Sequence, residues 1–248
     1  MTSKERQEQI LDILEQQGYV TVKHLIGALQ YSSATINRDL NALEKRQLII
    51  RSYGGVEPVR TKYVTIPFRA HKMHTVKKLI GRMASSFVQD GDTIYIDSST
   101  TAQCMEQYLI GKKNLTVITN NIFLAANLSV HDVKVICLGG TVVEAPCMLC
   151  GTETVQNASR YRVDKMFFAT GAVTRDGLIS AGIYDLLFKT IANNAARVFY
   201  LVDHNKIDQP FQAIFCDFSE VDCVISDYDF PDETKESYPK TEFVVAKE

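Results

Sequence analysis

Hydrophobic positions in the first 45 residues recur with the spacing of an α-helix in three consecutive stretches. The first stretch covers residues 3–17 and is expected to end at Gly18, and Thr21 is suited to cap the second. Ser33 is expected to cap the third. Short extended runs on either side of residues 52–55 then predict a β-hairpin. The pattern therefore predicts three helices and a hairpin, arranged as a winged helix-turn-helix.

From about residue 76 the pattern changes to apolar strands that alternate with helices. The expected strands are Thr93–Asp97, Leu115–Thr119, Val133–Leu138, Lys165–Thr170, Arg197–Val202 and Val221–Ser226. Helices are expected between most of them, for example at Thr101–Leu109 and Tyr184–Ala196. Such alternation is typical of a mainly parallel sheet covered by helices, so we predict a Rossmann-like α/β domain. The residues after Asp227 are acidic and then mixed, and no element is predicted for them.

Charge is distributed unevenly along the chain, although the formal net charge is only −2. Between Lys45 and Lys72 there are seven basic residues, and Glu57 is the only acid. A basic stretch directly behind a helix-turn-helix is suited to contact nucleic acid phosphates. We therefore predict a winged helix-turn-helix at residues 1–58, a basic linker at 59–75 and the α/β domain at 76–248.

The remaining composition narrows the class of protein. The six cysteines of a 248-residue chain with a polar start do not indicate a disulfide framework, and Cys137 and Cys216 are expected to be buried in apolar runs. No apolar run approaches the roughly 20 residues needed to span a bilayer. We therefore expect a cytoplasmic globular protein without a membrane partner.

The third helix presents polar side chains opposite its apolar face, where a recognition helix would meet the major groove. An arginine can pair bidentately with guanine and an asparagine with adenine. The predicted DNA-binding residues are Ser33, Thr35, Asn37, Arg38, Lys45 and Arg51. Arg51 belongs to the hairpin and is expected near the phosphates. The alternative is a three-helix packing module without a nucleic acid partner.

Several predicted strands of the α/β domain end in small polar residues, and such ends line the ligand crevice of parallel sheets. The predicted ligand-binding residues are Asp97, Ser98, Ser99, Thr100, Thr101, Thr119, Asn120, Asn121, Gly139, Gly140, Gly171, Asp203 and Lys206. The hydroxyls would bind an anion, Asp97 and Asp203 would accept hydrogen bonds from sugar hydroxyls, and Lys206 would neutralise a phosphate. The alternative is that these residues are ordinary caps and turns.

The segment TINRDLNALEKRQLIIRSYGGV resembles the helix-turn-helix motif of the DeoR family of bacterial repressors. The matching residues are Thr35, Ile36, Arg38, Asp39, Leu40, Leu43, Glu44, Arg51, Gly54 and Gly55, and Arg6 fits the first helix. Asn37 stands where the family usually has arginine, which suggests a different base preference. Gly27 replaces the usual alanine and is expected to weaken the second helix by roughly 1 kcal/mol.

The resemblance continues into the α/β domain, which in this family resembles sugar-phosphate isomerases. The matching residues are Asp97, Thr100, Thr101, Thr119, Asn120, Gly139, Gly140, Asp203 and Lys206, and Lys77 and Ile80 fit the opening helix. Ser99 replaces the usual glycine. The resemblance implies a repressor of sugar-metabolism genes that binds a double-stranded operator. A homodimer or homotetramer is expected, because helix-turn-helix proteins usually bind paired half-sites. A phosphorylated sugar would control it, and no cofactor, metal or catalytic activity is expected.

Two other functions remain open at this point. One is a sugar-phosphate isomerase with an accessory DNA-binding module, because isomerisation needs a positioned base and Asp97, Asp203 and Lys206 are candidates for it. The other is a thiol or metal sensor, because Cys147 and Cys150 have the spacing of a redox pair or half of a zinc site.

Overall fold

The computed structural model describes residues 2–46, 48–52, 54–59, 73–143, 148–180 and 185–247. The chain divides into two compact units, Met1–His74 and Thr75–Glu248. We call them the head and the sensor domain. Most of the predicted linker, residues 60–72, lies outside the described residues. The last two residues of the predicted linker, His74 and Thr75, are helical, because they belong to the helix His74–Ser86.

The head contains three helices and a small antiparallel sheet. In chain order its elements are α1 (Ser3–Gln17), β1 (Val20–Thr21), α2 (Val22–Leu29), α3 (Ser33–Lys45), β2 (Ile49–Ser52) and β3 (Gly55–Pro58). The strand order is β1-β3-β2, so β2 and β3 form the predicted hairpin. Apolar residues of all three helices and of the hairpin share one core. The predicted winged helix-turn-helix is confirmed.

The helix caps of the head explain where its helices begin. The Thr21 hydroxyl accepts a hydrogen bond from the His24 N–H, as its position predicted. The prediction for α3 was wrong by one residue. Ser32 has the extended backbone of an N-cap and its hydroxyl accepts from the Thr35 N–H at 3.2 Å, whereas Ser33 is already helical.

The sensor domain continues the numbering with eleven described strands and six described α-helices. Its helices are α4 (His74–Ser86), α5 (Glu106–Leu109), α6 (Ile122–Leu128), α7 (Thr152–Ala158), α8 (Asp185–Ala192) and α9 (Asp232–Ser237). Seven of the strands form one large sheet: β4 (Thr93–Ile96), β5 (Thr116–Thr119), β6 (Lys134–Cys137), β9 (Val163–Phe168), β11 (Ala195–Val202), β13 (Cys223–Ser226) and β14 (Glu242–Val245). Two short pairs lie outside it: β7 (Thr141–Val143) with β8 (Met148–Cys150), and β10 (Leu178–Ser180) with β12 (Ile214–Asp217).

All neighbouring strands of the large sheet are parallel, in the order β14-β13-β11-β9-β4-β5-β6. Both faces are covered, because Ile94 and Ile96 of β4 pack into one core and Tyr95 into the other. Burial on both faces explains why these strands read as continuous apolar runs. The predicted mainly parallel α/β fold is confirmed.

Several predicted details differ from the structure. The tail contains α9 and the edge strand β14, which pairs with β13 although no element was predicted there. The helix predicted at 184–196 ends at Ala192, because β11 begins at Ala195. The helix predicted at 101–109 consists of a 3₁₀ turn and the short α5. Cys216 is buried as predicted, but Cys137 is exposed because β6 is the last strand of the sheet.

The strand order changes direction between β4 and β9. From β4 the chain proceeds outward through β5 to β6, and it then crosses to β9 on the other side of β4 before continuing to β14. In open parallel sheets, a crevice forms at the carboxyl ends of the two strands where the order reverses. This places the candidate ligand site next to the residues that follow β4 and β9.

Candidate DNA-reading face and effector site

The recognition helix α3 has one buried and one exposed face. Ile36, Leu40 and Leu43 are fully buried, and they alternate at helical spacing with the predicted DNA-binding residues. Ser33, Arg38 and Lys45 are exposed, whereas Thr35 and Asn37 are half-buried. The Thr35 hydroxyl is 2.9 Å from the Ser32 hydroxyl, so Thr35 also takes part in the cap. None of the five predicted residues of α3 is therefore buried in the core of the head.

Arg51 on β2 reaches across to the exposed face of α3. Its two terminal nitrogens donate hydrogen bonds to the side-chain oxygens of Asn37 at 2.6 Å and Asn41 at 2.5 Å. Asn37 also donates from Nδ2 to the Ser33 carbonyl oxygen at 2.9 Å. The guanidinium thus lies along the recognition helix. Sequence reasoning missed Asn41, although its spacing of one helical turn from Asn37 is visible in the sequence.

A buried ion pair joins α1 to α3. The Arg6 guanidinium contacts the Asp39 carboxylate, and both side chains are at least nine-tenths buried. Burial opposes the ionisation of Asp39, but hydrogen bonds from Arg6, Ser3 and Gln7 outweigh it and hold its pKa below the ordinary value. The Arg6 guanidinium also lies 4.8 Å from the centre of the Tyr31 ring. Asp39 therefore holds the helices together and is not available to DNA.

At the sensor domain, Asp97 follows β4 directly at the point where the strand order reverses. Its side chain is 1% exposed. One carboxylate oxygen accepts from the Ser99 N–H at 3.0 Å and from the Ser99 hydroxyl, and the other accepts from the Ala169 N–H at 3.2 Å. Burial raises the pKa of Asp97 to about 6, although these hydrogen bonds lower it. Asp97 thus connects the loops that follow β4 and β9, and its predicted role toward sugar hydroxyls would require these contacts to change.

The polar residues after β5 are also occupied by contacts within the protein. The Thr119 hydroxyl donates to the Ile96 carbonyl oxygen at 2.7 Å. Asn120 accepts from the Tyr95 hydroxyl at 3.0 Å and donates to the Leu149 carbonyl oxygen at 3.2 Å. Asn121 caps α6. These residues lie at the predicted edge, and their described contacts are those of caps and inter-strand links.

The predicted glycines have two different environments. Gly140 has a φ of +139°, and a Cβ there would lie 2.0 Å from the Thr154 hydroxyl and 2.6 Å from the Cys150 carbonyl oxygen. The preceding Gly139 carbonyl oxygen accepts from that same hydroxyl at 2.6 Å. Gly171, by contrast, is exposed, and a Cβ there would meet no atom within 4 Å. Close packing therefore explains Gly140, whereas nothing within the described protein requires glycine at 171.

A buried lysine from α4 contacts the loop after β4. Lys77 is 3% exposed, and its ammonium group donates to the Thr100 hydroxyl at 3.0 Å. Sequence reasoning assigned Lys77 only to the opening helix and not to the site. The signal was present, because Lys77 precedes Ile80, Gly81 and Ala84 at the spacing of the buried face. A lysine at such a position is rarely buried without a polar partner.

Asp203 and Lys206 follow β11, the next strand beyond β9. Asp203 is 1% exposed, and one of its carboxylate oxygens accepts from the Asn205 N–H at 3.2 Å. Its Oδ2 is buried and has no hydrogen-bond partner among the described residues. The Val173 N–H donates to the Lys206 carbonyl oxygen at 2.9 Å, which joins this loop to the one that contains Gly171. The carboxyl ends of β4, β9 and β11 thus form one polar edge.

The geometry gives less support to the thiol or metal sensor that the spacing of Cys147 and Cys150 suggested. Within the parts of the chain that the structure describes, no three His, Cys, Asp or Glu side chains are grouped to hold a metal ion. Cys147 lies outside the described residues, and Cys150 is buried in β8. Among the described residues, no helix combines the length and the apolar character needed to cross a bilayer.

Comparison with known proteins relates both units to one family. The profile of the DeoR-like helix-turn-helix domain matches residues 6–62, and that of the DeoR C terminal sensor domain matches residues 72–228. The chain is 32% identical over 231 residues to the HTH-type transcriptional repressor GlcR of Bacillus subtilis (strain 168), which covers 92% of this chain and 89% of that protein. It is 29% identical over 232 residues to the Glycerol-3-phosphate regulon repressor of Escherichia coli (strain K12), which covers 92% of each. Among solved structures, ribose 5 phosphate isomerase A from Neisseria gonorrhoeae is similar to 53% of the chain, over 52% of its own length, with 17% identity and a TM-score of 0.39.

Proposed function

This chain belongs to the DeoR family of transcription regulators, and from that membership we propose that it is a sugar-phosphate-responsive repressor. Its head binds a double-stranded operator, and its sensor domain binds a phosphorylated sugar or a related metabolite that changes the affinity for DNA. Both relatives are named as repressors, and the name of one of them includes a phosphorylated metabolite, glycerol-3-phosphate.

The contact between Lys77 and Thr100 carries the sensing part of this proposal. A buried ammonium group beside a hydroxyl-rich loop is an arrangement that favours an anion, because the charge attracts it and the hydroxyls donate hydrogen bonds. We assign the phosphate of the effector to Lys77 and the loop Asp97–Thr101. Lys206, predicted from the sequence as the phosphate partner, would then contact another polar group of the same ligand.

Asp203 supports a ligand that carries hydroxyl groups. A buried carboxylate oxygen without a donor costs roughly 1–3 kcal/mol, and a sugar hydroxyl that donates to it would recover part of this cost. Gly171 borders the same edge, where the absence of a side chain leaves space for the ligand. The proposed effector therefore places its phosphate near β4 and its hydroxyls near β9 and β11.

The head is proposed to contact DNA through the exposed side of α3, by Ser33, Thr35, Arg38 and Lys45. Helix-turn-helix proteins usually bind paired half-sites as dimers, so we propose a homodimer or homotetramer. A bacterial regulator that binds the chromosome acts in the cytoplasm.

The effector is tested by a thermal-shift screen of phosphorylated and unphosphorylated sugars. A ligand at 100 times its dissociation constant stabilises the protein by about 2.7 kcal/mol. The hit should alter operator affinity in wild type, and Lys77→Met should abolish its thermal shift while leaving operator binding without ligand unchanged. Lys78→Met is the matched control, because Lys78 is the neighbouring residue of α4 but is not buried. A wild-type thermal shift in Lys77→Met would place the phosphate elsewhere.

A further inference from the structure

The contact of Arg51 with α3 has a consequence for DNA reading that rests on the proposed function of the head. Arg51 begins on β2, outside the recognition helix, yet its guanidinium lies on the exposed face of that helix. Asn37 and Asn41 are one helical turn apart and hold one terminal nitrogen each. Their two oxygens determine both the position and the plane of the guanidinium.

Asn37 itself is fully engaged in this arrangement. To read adenine, an asparagine must offer its oxygen and its NH₂ group to the base at the same time. The oxygen of Asn37 accepts from Arg51, and its NH₂ group donates to the carbonyl oxygen and the hydroxyl of Ser33, at 2.9 and 3.2 Å. Asn37 therefore has the contacts of a side chain that orients a neighbour.

Arg51 retains the groups that a base requires. A guanidinium has five N–H donors, and the two described hydrogen bonds to Asn37 and Asn41 use two of them. The remaining donors lie in the same plane, and a planar fork matches the O6 and N7 acceptors of guanine. Because the side chain is already held, binding to DNA costs less rotamer freedom than it would for an unrestrained arginine.

We propose that Arg51 is a base-reading residue that recognises a guanine in the major groove, and that Asn37 and Asn41 are its positioning residues. The cation that reads this base comes from the hairpin and not from the helix. This differs from the phosphate contact that the hairpin position of Arg51 predicted. Arg38, exposed on α3, reads a separate base pair.

The test is selection of operators from a random double-stranded library by the full-length protein. Wild type should enrich a site with an invariant G·C pair that Arg51→Lys no longer distinguishes. Lysine keeps the charge but lacks the fork, so discrimination at that pair should fall roughly 5- to 150-fold while the salt dependence of binding is unchanged. Asn41→Ala should weaken discrimination at the same pair, because it removes one of the two acceptors.

Arg46→Lys is the matched control. Arg46 follows α3 and donates to Gln7 of α1, so its replacement should leave the base preference unchanged. The proposal is overturned if Arg51→Lys retains the full preference while Arg51→Ala weakens all sequences equally and flattens the salt dependence. That result would assign Arg51 to a phosphate. A folded wild-type protein that enriched no sequence would instead contradict the DNA-binding function, and with it the assignment of Arg51.

Discussion

At the scale of single residues, hydrogen bonds separate the predicted effector residues by role. The side chains of Asp97, Thr119 and Asn120 bind other parts of the protein, and they hold adjacent strand ends together. Asp203 has a buried oxygen without a described partner, and Gly171 borders open space. The residue type at a strand end therefore predicted position correctly but did not distinguish a ligand contact from a structural one.

The pKa of Asp97 predicts how stability depends on pH. Its value in the folded protein is about 6, against an ordinary value of 3.8, so the folded state holds a proton between these two pH values that the unfolded state releases. The resulting stability is present below pH 4 and is lost as the pH rises through 6. The difference corresponds to about 3 kcal/mol. Between pH 4 and 7, the free energy of unfolding of wild type should therefore fall by about 3 kcal/mol relative to that of Asp97→Asn.

Calorimetric unfolding at several pH values measures this difference, using the transition of the larger unit. Val130→Ala is the control, since Val130 is 79% exposed and its replacement removes no ionisable group. Its curve should run parallel to that of wild type. If the curve for Asp97→Asn is also parallel, Asp97 does not take up a proton in this range.

Two glycine substitutions separate close packing from ligand space. Gly171→Ala should change the free energy of unfolding by less than about 0.5 kcal/mol, because the added Cβ has no atom within 4 Å. It should nevertheless weaken the binding of the effector, because the methyl group fills part of the crevice. Gly140→Ala should destabilise the sensor domain by about 2 kcal/mol or more, because its φ is positive and its Cβ would overlap two atoms. Thermal melting and effector titration test both variants. Unchanged effector affinity in Gly171→Ala would remove this residue from the site.

At the scale of elements, the pair between Arg6 and Asp39 determines how α1 packs against α3. Removing one partner leaves a buried charge, so Arg6→Met should destabilise the head by about 3–5 kcal/mol and abolish operator binding. The double variant Arg6→Met with Asp39→Leu should recover much of this loss, because no charge remains buried.

Circular dichroism melting and operator binding measure these effects, and effector binding by the sensor domain is the internal control. It should be unchanged in both variants. The pKa of Asp39 is lowered, so its contribution to stability is present at neutral pH and is lost only as the pH falls below about 4. A head that melts normally with Arg6→Met would show that the pair contributes little.

At the scale of the whole molecule, the question is how effector binding alters DNA affinity. An effector can do so only if it binds the DNA-competent and incompetent arrangements unequally, and typical coupling is about 1–3 kcal/mol, or 5- to 150-fold in affinity. The segment that joins the two units, residues 60–72, lies outside the described residues. We predict that its length transmits the change.

A flexible Gly/Ser insertion after Lys62 tests this prediction. It should preserve effector binding and the contacts of a single head while reducing the effect of the ligand on operator affinity. An insertion of the same length after Val130 serves as the control, because Val130 is 79% exposed and lies in the turn before β6, away from the carboxyl ends of the strands. Wild-type coupling in the linker variant would indicate that the effector acts through a change of oligomeric state.

The sequence by itself determined most of the elements, both folds and the family, because these depend on local periodicity and on short motifs. The helix at 3–17, the cap at Thr21 and the polar ends of the parallel strands were all predicted correctly. Strand β14 was not, since a short edge strand in a polar tail is stabilised by its pairing with β13 and carries little pattern of its own.

Only the tertiary structure decided which of these residues meet. Lys77 is separated from Thr100 by 23 residues, and Arg6 from Asp39 by 33. Arg51 approaches Asn37 and Asn41 only because the hairpin folds back onto α3. A side chain's role depends on the partners that packing provides for its donors and acceptors, and partners distant in sequence leave no periodic signal. For this reason the sequence predicted the helix face and the strand ends where the two sites are proposed, whereas the fold determined which side chains are available there.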